Sequence, residues 1–380
     1  MPVAPGPTDP TVSSVSSFHL SSLQSSDRDY SISSYSQRPI SDRSDMSEAE
    51  SMLTEIDAAR YSSRWKAWRR TSKSTRMATE VPLPSSFKIV TWNVDFNTPN
   101  AKARLKTALQ HIQGDVLKCK GGERPPPCCI LLQEIMRVRN FLKFSSFDDR
   151  ASRGNNQDAF RTILDNEWIQ QYFVVSPRKV EEWPDNAFYG NVTLTSRAIP
   201  VCAAYSVEFV SKMNRNALLV DLKLCVPVRR QSENTPRVIK LRVGNTHLES
   251  LPEGAEYRPH QLGLVTDVLE SEEVFGGIVC GDMNNIGPTD QGMPEKLGLV
   301  DAYKEGEEEE EEEGYTWGYQ PSCEFPPGRL DKILYTAPAN SGVTFEVGVP
   351  KRIGLGLKTP SGHYASDHYG LTSIVRVKAA

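Results

Sequence analysis

The chain has 380 residues, 44 Lys and Arg against 48 Asp and Glu, a formal net charge of −4 and a pI near 6.0, so no global basicity points to nucleic acid and any such binding must come from a local patch. The seven cysteines are an odd number without a C-x-x-C pair, which argues against a disulfide framework or a cysteine-rich zinc site and for a reduced intracellular protein. No apolar run reaches the ~18 residues of a membrane-spanning helix, and the first residues lack the features of a secretion signal, so a nuclear or cytoplasmic monomer away from membranes is expected.

Residues 1–50 read as a disordered tail. Residues 11–50 hold 15 Ser, with too few large apolar groups to offset the entropy of ordering. The tail is expected to be a solvated tether, open to phosphorylation and to protein partners. Residues 46–72 predict a helix, most of it inside a basic linker over 51–84, with Arg60, Arg64, Lys66, Arg69 and Arg70 beside Trp65 and Trp68. Such a segment can dock on a domain's flank, bind a partner, or act as a nuclear-localisation or phosphate-binding patch.

The folded domain is expected over 85–380. Phe87–Val94 reads as a strand ending at Asn93, and 100–115 as a helix with Leu105, Ala108, Leu109 and Ile112 on one face. Cys128–Leu132 reads as a buried strand stopping at Gln133-Glu134. A loop-rich, partly helical stretch runs to about 170, followed by short strands at 189–196, 200–209, 216–224 and 237–246. Residues 253–270 predict a helix, and 277–281, 331–336, 343–348 and 370–378 the remaining strands. An acidic loop over 305–314, with unbroken Glu from Glu307 to Glu313, is expected to be solvated and self-repelling. Many short strands with few helices point to two sheets packed face to face with helices outside.

The recurrent feature is where the strands stop. The run Ile278-Val279-Cys280 passes into Gly281-Asp282-Met283-Asn284. Side chains alternate along a strand, so Asp282 and Asn284 should point the same way. One can hold a water or accept a proton while the other donates to the same substrate atom. An Asx turn is the plainer use of such a pair. Similar residues recur: Asn93 and Glu134 end two strands, His247-Leu248-Glu249-Ser250 ends a third, Arg329-Leu330-Asp331 opens another, and Ser366-Asp367-His368 precedes the last. Each alone can be a turn, a cap or a core histidine. If the sheet ends lie on one side, they converge on one pocket, where ligands commonly sit.

In this order, Thr91-Trp92-Asn93, Leu132-Gln133-Glu134, Thr246–Ser250, Gly281–Asn284, Arg329–Asp331 and Ser366–His368 resemble the motifs of the endonuclease/exonuclease/phosphatase superfamily. The resemblance covers about 87–376. It implies a four-layered α/β sandwich, two packed mixed β-sheets flanked by helices, with Mg²⁺-dependent hydrolysis of phosphate esters and Mn²⁺ as an alternative ion. Within the superfamily the chain is most similar to the 5′-tyrosyl-DNA phosphodiesterases, through His247–Ser250, Arg258, Gln261-Leu262, Tyr315-Thr316-Trp317 and Ser366–Leu371. It departs from them at Leu251-Pro252, where the family has Thr-Arg, at Ile286, where it has Arg, and at Tyr369, where it has Trp.

The resemblance implies roles for the strand-end residues. Glu134 is the direct Mg²⁺ ligand, and Asn93 and Asp367 complete or orient the sphere through water. Asp282 deprotonates the attacking water, Asn284 fixes that water or a phosphate oxygen, and His247 and His368 stabilise charge on the phosphate. Asp331 holds the His368 imidazole. Ser250 contacts substrate, and Trp317 either stacks on a base or is a core tryptophan. The implied partner is DNA, as a single-stranded 5′ end carrying the tyrosyl adduct of a trapped topoisomerase, in DNA repair. The same site residues would serve an abasic-site endonuclease, an RNA exonuclease or a small-molecule phosphatase. A non-catalytic scaffold is the alternative of another class.

Overall fold

Alternation along the strands decides what two sheets bury between them. A computed structural model of the chain describes residues 52–71, 82–137, 158–184, 187–227, 237–303, 314–337 and 342–379; the Ser-rich tail and, Gly314 apart, the acidic loop lie outside these. One sheet has seven strands in the order β1 (Leu53–Glu55), β8 (Val201–Glu208), β9 (Asn216–Cys225), β10 (Val238–His247), β11 (Gly277–Asp282), β13 (Asp331–Thr336) and β12 (Leu299–Asp301). The other has nine: β14 (Val343–Val347), β16 (Gly370–Ala379), β4 (Ser86–Asn93), β5 (Cys128–Met136), β7 (Tyr189–Ser196), β6 (Phe173–Ser176), β2 (Ala59–Ser62) and β3 (Ala67–Arg70), with β15 (Lys351–Ile353) paired to β16.

Each sheet has one parallel pair, β4 with β5 and β10 with β11. Each pair is joined through a helix, α1 (Ala101–His111) in the first case. The short helices α2 (Ala159–Leu164) and α3 (Glu167–Tyr172) follow β5, α4 (Arg258–Leu269) joins β10 to β11, and α5 (Met293–Lys296) precedes β12. Phe87 and Ile89 of β4, Cys129 and Leu131 of β5, Val243 of β10 and Ile278 and Cys280 of β11 share the layer between the sheets. Val90, Trp92, Ile130 and Leu132 take the opposite phase and pack with Leu105 and Leu109 of α1. Leu219 and Val279 likewise meet Leu262, Val265 and Leu269 of α4. Helix, sheet, sheet, helix: the expected sandwich forms.

The inward phase also carries the polar strand ends. Asn93 continues the phase of Phe87 and Ile89, His247 that of Leu241 and Val243, and Asp282 that of Ile278 and Cys280, while Asp331 precedes Ile333. All four therefore reach the mouth between the sheets. Gly281 keeps β11 tight against β10 there, since its φ of 146° and the nearby Thr246 carbonyl leave no room for a Cβ.

The helix predicted over 46–72 does not form in the described part of that segment, which instead supplies three strands. Leu53–Glu55 adds to the edge of β8, and Ala59 and Arg60 pair with Val175 and Val174 of β6. Two open sheet edges satisfy this backbone, and Tyr61 and Trp68, poor helix formers, meet edge-on with centroids 5.7 Å apart. The stretch read as a linker over 51–84 thus adds strands to both sheets.

Candidate active site

Asp282 is the hub of the mouth. Its Oδ2 lies 3.0 Å from Asn93 Nδ2, 3.4 Å from His247 Nε2 and 3.7 Å from His368 Nε2. Burial pushes its carboxyl above the usual range; His368 opposes this and Asp331 adds to it.

Glu134 reaches the same place by a break in pattern. Simple alternation would send it outward with Ile130 and Leu132. The β5–β7 register shifts between Leu132 and Ile135, and Glu134 has a φ of 60°. This bulge re-aims the carboxylate. Oε1 accepts from Asn93 Nδ2 at 3.1 Å and Oε2 from the Phe96 N–H at 2.8 Å. Burial pushes the Glu134 carboxyl up to about 7 despite Arg215 and the Phe96 N–H, with Asp367 and Asp95 adding to the rise. The Asn93 amide therefore joins two carboxylates, and its Oδ1 accepts the Asp95 N–H at 3.0 Å.

The two histidines have opposite surroundings. His368 Nδ1 lies 2.8 Å from Asp331 Oδ2. Burial alone would lower its pKa, but Asp331, Asp367 and Asp282 hold it well above the ordinary value. His247 Nδ1 lies 3.0 Å from Arg215 Nη1. Arginine only donates, so Nδ1 accepts and Nε2 carries the hydrogen. Burial, then the positive charges of Arg215 and His368, keep His247 well below its ordinary pKa.

The remaining expected residues lie around this centre. Ser250 Oγ accepts from Arg215 Nη2 at 2.7 Å and lies 3.5 Å from His247 Nε2. Asp367 Oδ2 accepts the Trp317 indole N–H at 3.1 Å, so the half-buried Trp317 braces that carboxylate. Alternation does not reach as far as Asn284. The strand ends at Asp282, Asn284 has a φ of 47°, and its Nδ2 donates to the Leu248 carbonyl at 3.2 Å. The pair makes an Asx turn as well, with Asp282 Oδ1 accepting the Asn284 N–H at 2.9 Å.

No protein-family model and no curated protein matches the chain. Solved structures do. It is similar to D. rerio TDP2 complexed with single-strand DNA product, at 18% identity over 77% of this chain and 99% of that one, with a TM-score of 0.55. A humanized D. rerio TDP2 with 14 mutations matches at 20% identity over 77% and 99%, TM-score 0.54. Truncated Caenorhabditis elegans TDP2 matches at 18% over 77% and 97%, TM-score 0.51. The chain has the endonuclease/exonuclease/phosphatase fold, in a form resembling TDP2. At these identities the likeness carries the fold alone.

Within the endonuclease/exonuclease/phosphatase fold of this chain, the mouth also contains residues that sequence reasoning passed over. Arg215 bonds His247 and Ser250 together, and its guanidinium lies 5.3 Å from the Tyr189 ring centroid. Tyr189 stacks on Phe96 at 4.0 Å, and Phe188 meets both rings edge-on. The readable signal was position: Arg215 immediately precedes β9, at the sheet end shared with Thr246 and His247. Buried Arg104 is a second such residue, donating to the carbonyls of Val94 and Ala365 and so tying the Asn93 loop to the Asp367 loop.

Among the described residues, no group of three or more His, Cys, Asp or Glu forms a protein metal cage. Mg²⁺ does not need one, since one or two carboxylates, several waters and a substrate phosphate suffice. The donors at the mouth are hard oxygens, and burial beside Asp367 and Asp95 holds the Glu134 carboxyl at about 7 with Arg215 as its cationic neighbour. These residues fit a hard divalent cation.

Proposed function

We propose that the chain is a metal-dependent phosphodiesterase that removes a tyrosyl adduct from a 5′ DNA end, in nuclear or cytoplasmic DNA repair. The observation that carries this reading is the buried Asp282 carboxylate set between a charged and a neutral imidazole and joined through Asn93 to Glu134. Such a constellation suits attack of water on a phosphate, where a base, charge stabilisation and a metal-holding carboxylate must meet around one phosphorus.

Asp282 Oδ2 takes a proton from water as the water oxygen bonds to phosphorus. The bond from phosphorus to the tyrosyl oxygen breaks, its electron pair stays on that oxygen, and solvent protonates the phenolate. His368, held charged beside Asp331, stabilises negative charge on a phosphoryl oxygen. His247 donates its Nε2 hydrogen to another, while Arg215 adds charge and holds Ser250 in place. Glu134, with Asp367 and Asn93 acting through water, is assigned to hold a Mg²⁺ or Mn²⁺ ion, whose chemistry is charge neutralisation at the phosphate. Asn284 steadies the loop between Asp282 and Leu248. The rings of Phe96, Phe188 and Tyr189 beside Glu134 suit an aromatic leaving group.

The test is cleavage of a single-stranded DNA oligonucleotide bearing a 5′-phosphotyrosine, with Mg²⁺ and with EDTA, beside an abasic duplex and poly(A) RNA. Release of a 5′-phosphate end from the tyrosyl substrate alone, abolished by EDTA, supports the reading. Cleavage of another substrate instead keeps the site and overturns the substrate. Silence on all three from folded protein overturns the phosphodiesterase assignment for nucleic acid.

A further inference from the structure

The hairpin that replaces the expected basic helix has an outward-facing tip. β2 and β3 pair from Ala59 with Arg70 to Ser62 with Ala67, and residues 63–66 form the turn. Its two tryptophans behave differently. Trp68 is an anchor: its indole N–H donates to the Leu164 carbonyl at 3.1 Å, and its ring packs on the core beneath. Trp65, in the turn, is 59% exposed. The guanidinium carbons of Arg64 and Arg69 lie 5.2 and 5.4 Å from its ring centroid.

Charge is concentrated here as well. Residues 60–70 carry Arg60, Arg64, Lys66, Arg69 and Arg70 and no acid, in a chain whose net charge is −4. Arg70 is engaged by Glu55 and Asp57, whereas Arg60, Arg64, Lys66 and Arg69 are exposed and make no ion pair among the described residues. A single exposed ring is ordinary, but an aromatic ring amid arginines is what sequence-tolerant binding of single strands requires. Every base offers a face to the ring, and the guanidiniums reach the phosphates on either side.

We propose that this tip is a second contact for single-stranded DNA, with Trp65 stacking on a base and Arg64, Lys66 and Arg69 pairing with flanking phosphates. The inference rests on the reading of the chain as an enzyme of DNA ends and extends the bound strand beyond the catalytic mouth. Register fixes where the contact lies. Ala59 is level with Val175, Leu194 and Ile130 across β6, β7 and β5, so the turn lies beyond Cys128, at the sheet end opposite Glu134. At ~3.3 Å per residue and ~4.8 Å per strand the separation is about 30 Å. A trinucleotide, about 10 Å long at the stacked rise of ~3.4 Å, cannot touch both places. A strand of about 30 nucleotides, about 100 Å long at the same rise, can.

The experiment measures binding of a labelled strand of about 30 nucleotides to the full chain in EDTA, by anisotropy at several salt concentrations, for the wild type, Trp65→Ala and Arg64→Glu/Arg69→Glu. Trp65→Ala should weaken binding about tenfold, and the double variant should weaken it further and flatten the salt dependence. Turnover of a trinucleotide 5′-phosphotyrosyl substrate should be unchanged in both, which also reports folding. Unchanged affinity in both variants overturns the proposal. So does polyglutamate that competes as well as the strand, because an acidic protein segment would then be the occupant. The binding arms need no cleavage, so an enzyme that fails on the tyrosyl substrate but loses strand affinity on Trp65→Ala keeps this proposal and sinks only the catalytic reading; circular dichroism then replaces turnover as the fold control.

Discussion

Asp331 Oδ2 lies 2.8 Å from His368 Nδ1, in a pair whose side chains are 0% and 6% exposed. His247, at the end of β10 in the seven-stranded sheet that also carries Asp331, has the Arg215 guanidinium at the equivalent ring nitrogen. The same ring thus meets a carboxylate on one side of Asp282 and a guanidinium on the other. One imidazole is pushed toward its charged form and the other toward its neutral form, with Asp282 between them.

Asp331→Asn tests the charged side. It keeps the size and a partner for Nδ1 but removes the negative charge that holds the His368 pKa up. Losing one preorganised charge-stabilising group typically costs about 10²–10³ in kcat, so a fall of that order is expected with little change in KM. The alkaline limb of the pH–rate profile should move to lower pH, because His368 must be charged to act. Stability follows the same sign. A raised folded pKa gives stability that is complete below the unfolded histidine pKa and is lost as pH rises through the folded one. An unmoved alkaline limb would remove His368 from its role.

Arg215→Ala tests the neutral side. Burial would still oppose charge on His247, but the repulsion from the guanidinium would be gone, so the imidazole should titrate at higher pH than in the wild type. The loss of turnover should be greatest at acid pH, where a protonated His247 competes for the Asp282 carboxylate. Arg215→Lys should not rescue, because one ammonium cannot reach both His247 and Ser250 as the two Nη atoms do. Imidazole resonances followed by NMR decide it. A His247 titration identical to wild type contradicts the assigned electrostatics.

Both tests use residues whose legibility in the sequence differed, and the difference has a physical cause. The sandwich was readable because its strands alternate apolar phases that two sheets and two helices can each bury, and because Asn93, His247, Asp282 and Asp331 simply continue the inward phase. Glu134 was found as a strand end, but its aim depends on a bulge that periodicity does not reveal. Asn284 lies past the last strand residue, in a left-handed conformation, so alternation alone does not set its aim. Arg215 was invisible as chemistry because its partners, His247 and Ser250, lie 32 and 35 residues away. The basic hairpin was read as a helix because local charge and aromatic content do not announce that a sheet edge is open nearby.

A structural pair outside the chemistry also makes a measurable claim. Arg258 and Asp290 are fully buried and bidentate at 2.8 Å for both bonds, and Arg258 also donates to the carbonyls of Glu249 and Leu251. The ion pair ties the loop after β10 to the loop after β11. Asp290→Ala leaves a guanidinium buried without its carboxylate, so a loss of about 3–5 kcal/mol is expected in urea unfolding. Replacing both partners with apolar residues of similar volume should cost clearly less. Equal losses in the single and double variants would show that packing, and not the uncompensated charge, sets the penalty.

The last prediction concerns Glu134 and its cation. With the carboxyl pushed up to about 7, the metal-free folded protein keeps a proton at pH values where the unfolded chain, with an ordinary value of 4.5, has lost it. The native state then binds more protons than the unfolded state across that window, so this group's contribution to stability falls as pH rises through it. A divalent cation requires the deprotonated carboxylate and releases the proton on binding. Its stabilising effect should therefore be small at about pH 5.5 and large at about pH 8, where no proton competes. The readout is the shift in Tm on adding Mg²⁺ at the two pH values, for the wild type and for Glu134→Gln. The wild type should show a larger shift at the higher pH, and the variant should lose both the shift and its pH dependence. A Mg²⁺ shift of equal size at both pH values would take Glu134 out of the metal site, and a shift retained in Glu134→Gln would place the ion on other oxygens of the mouth.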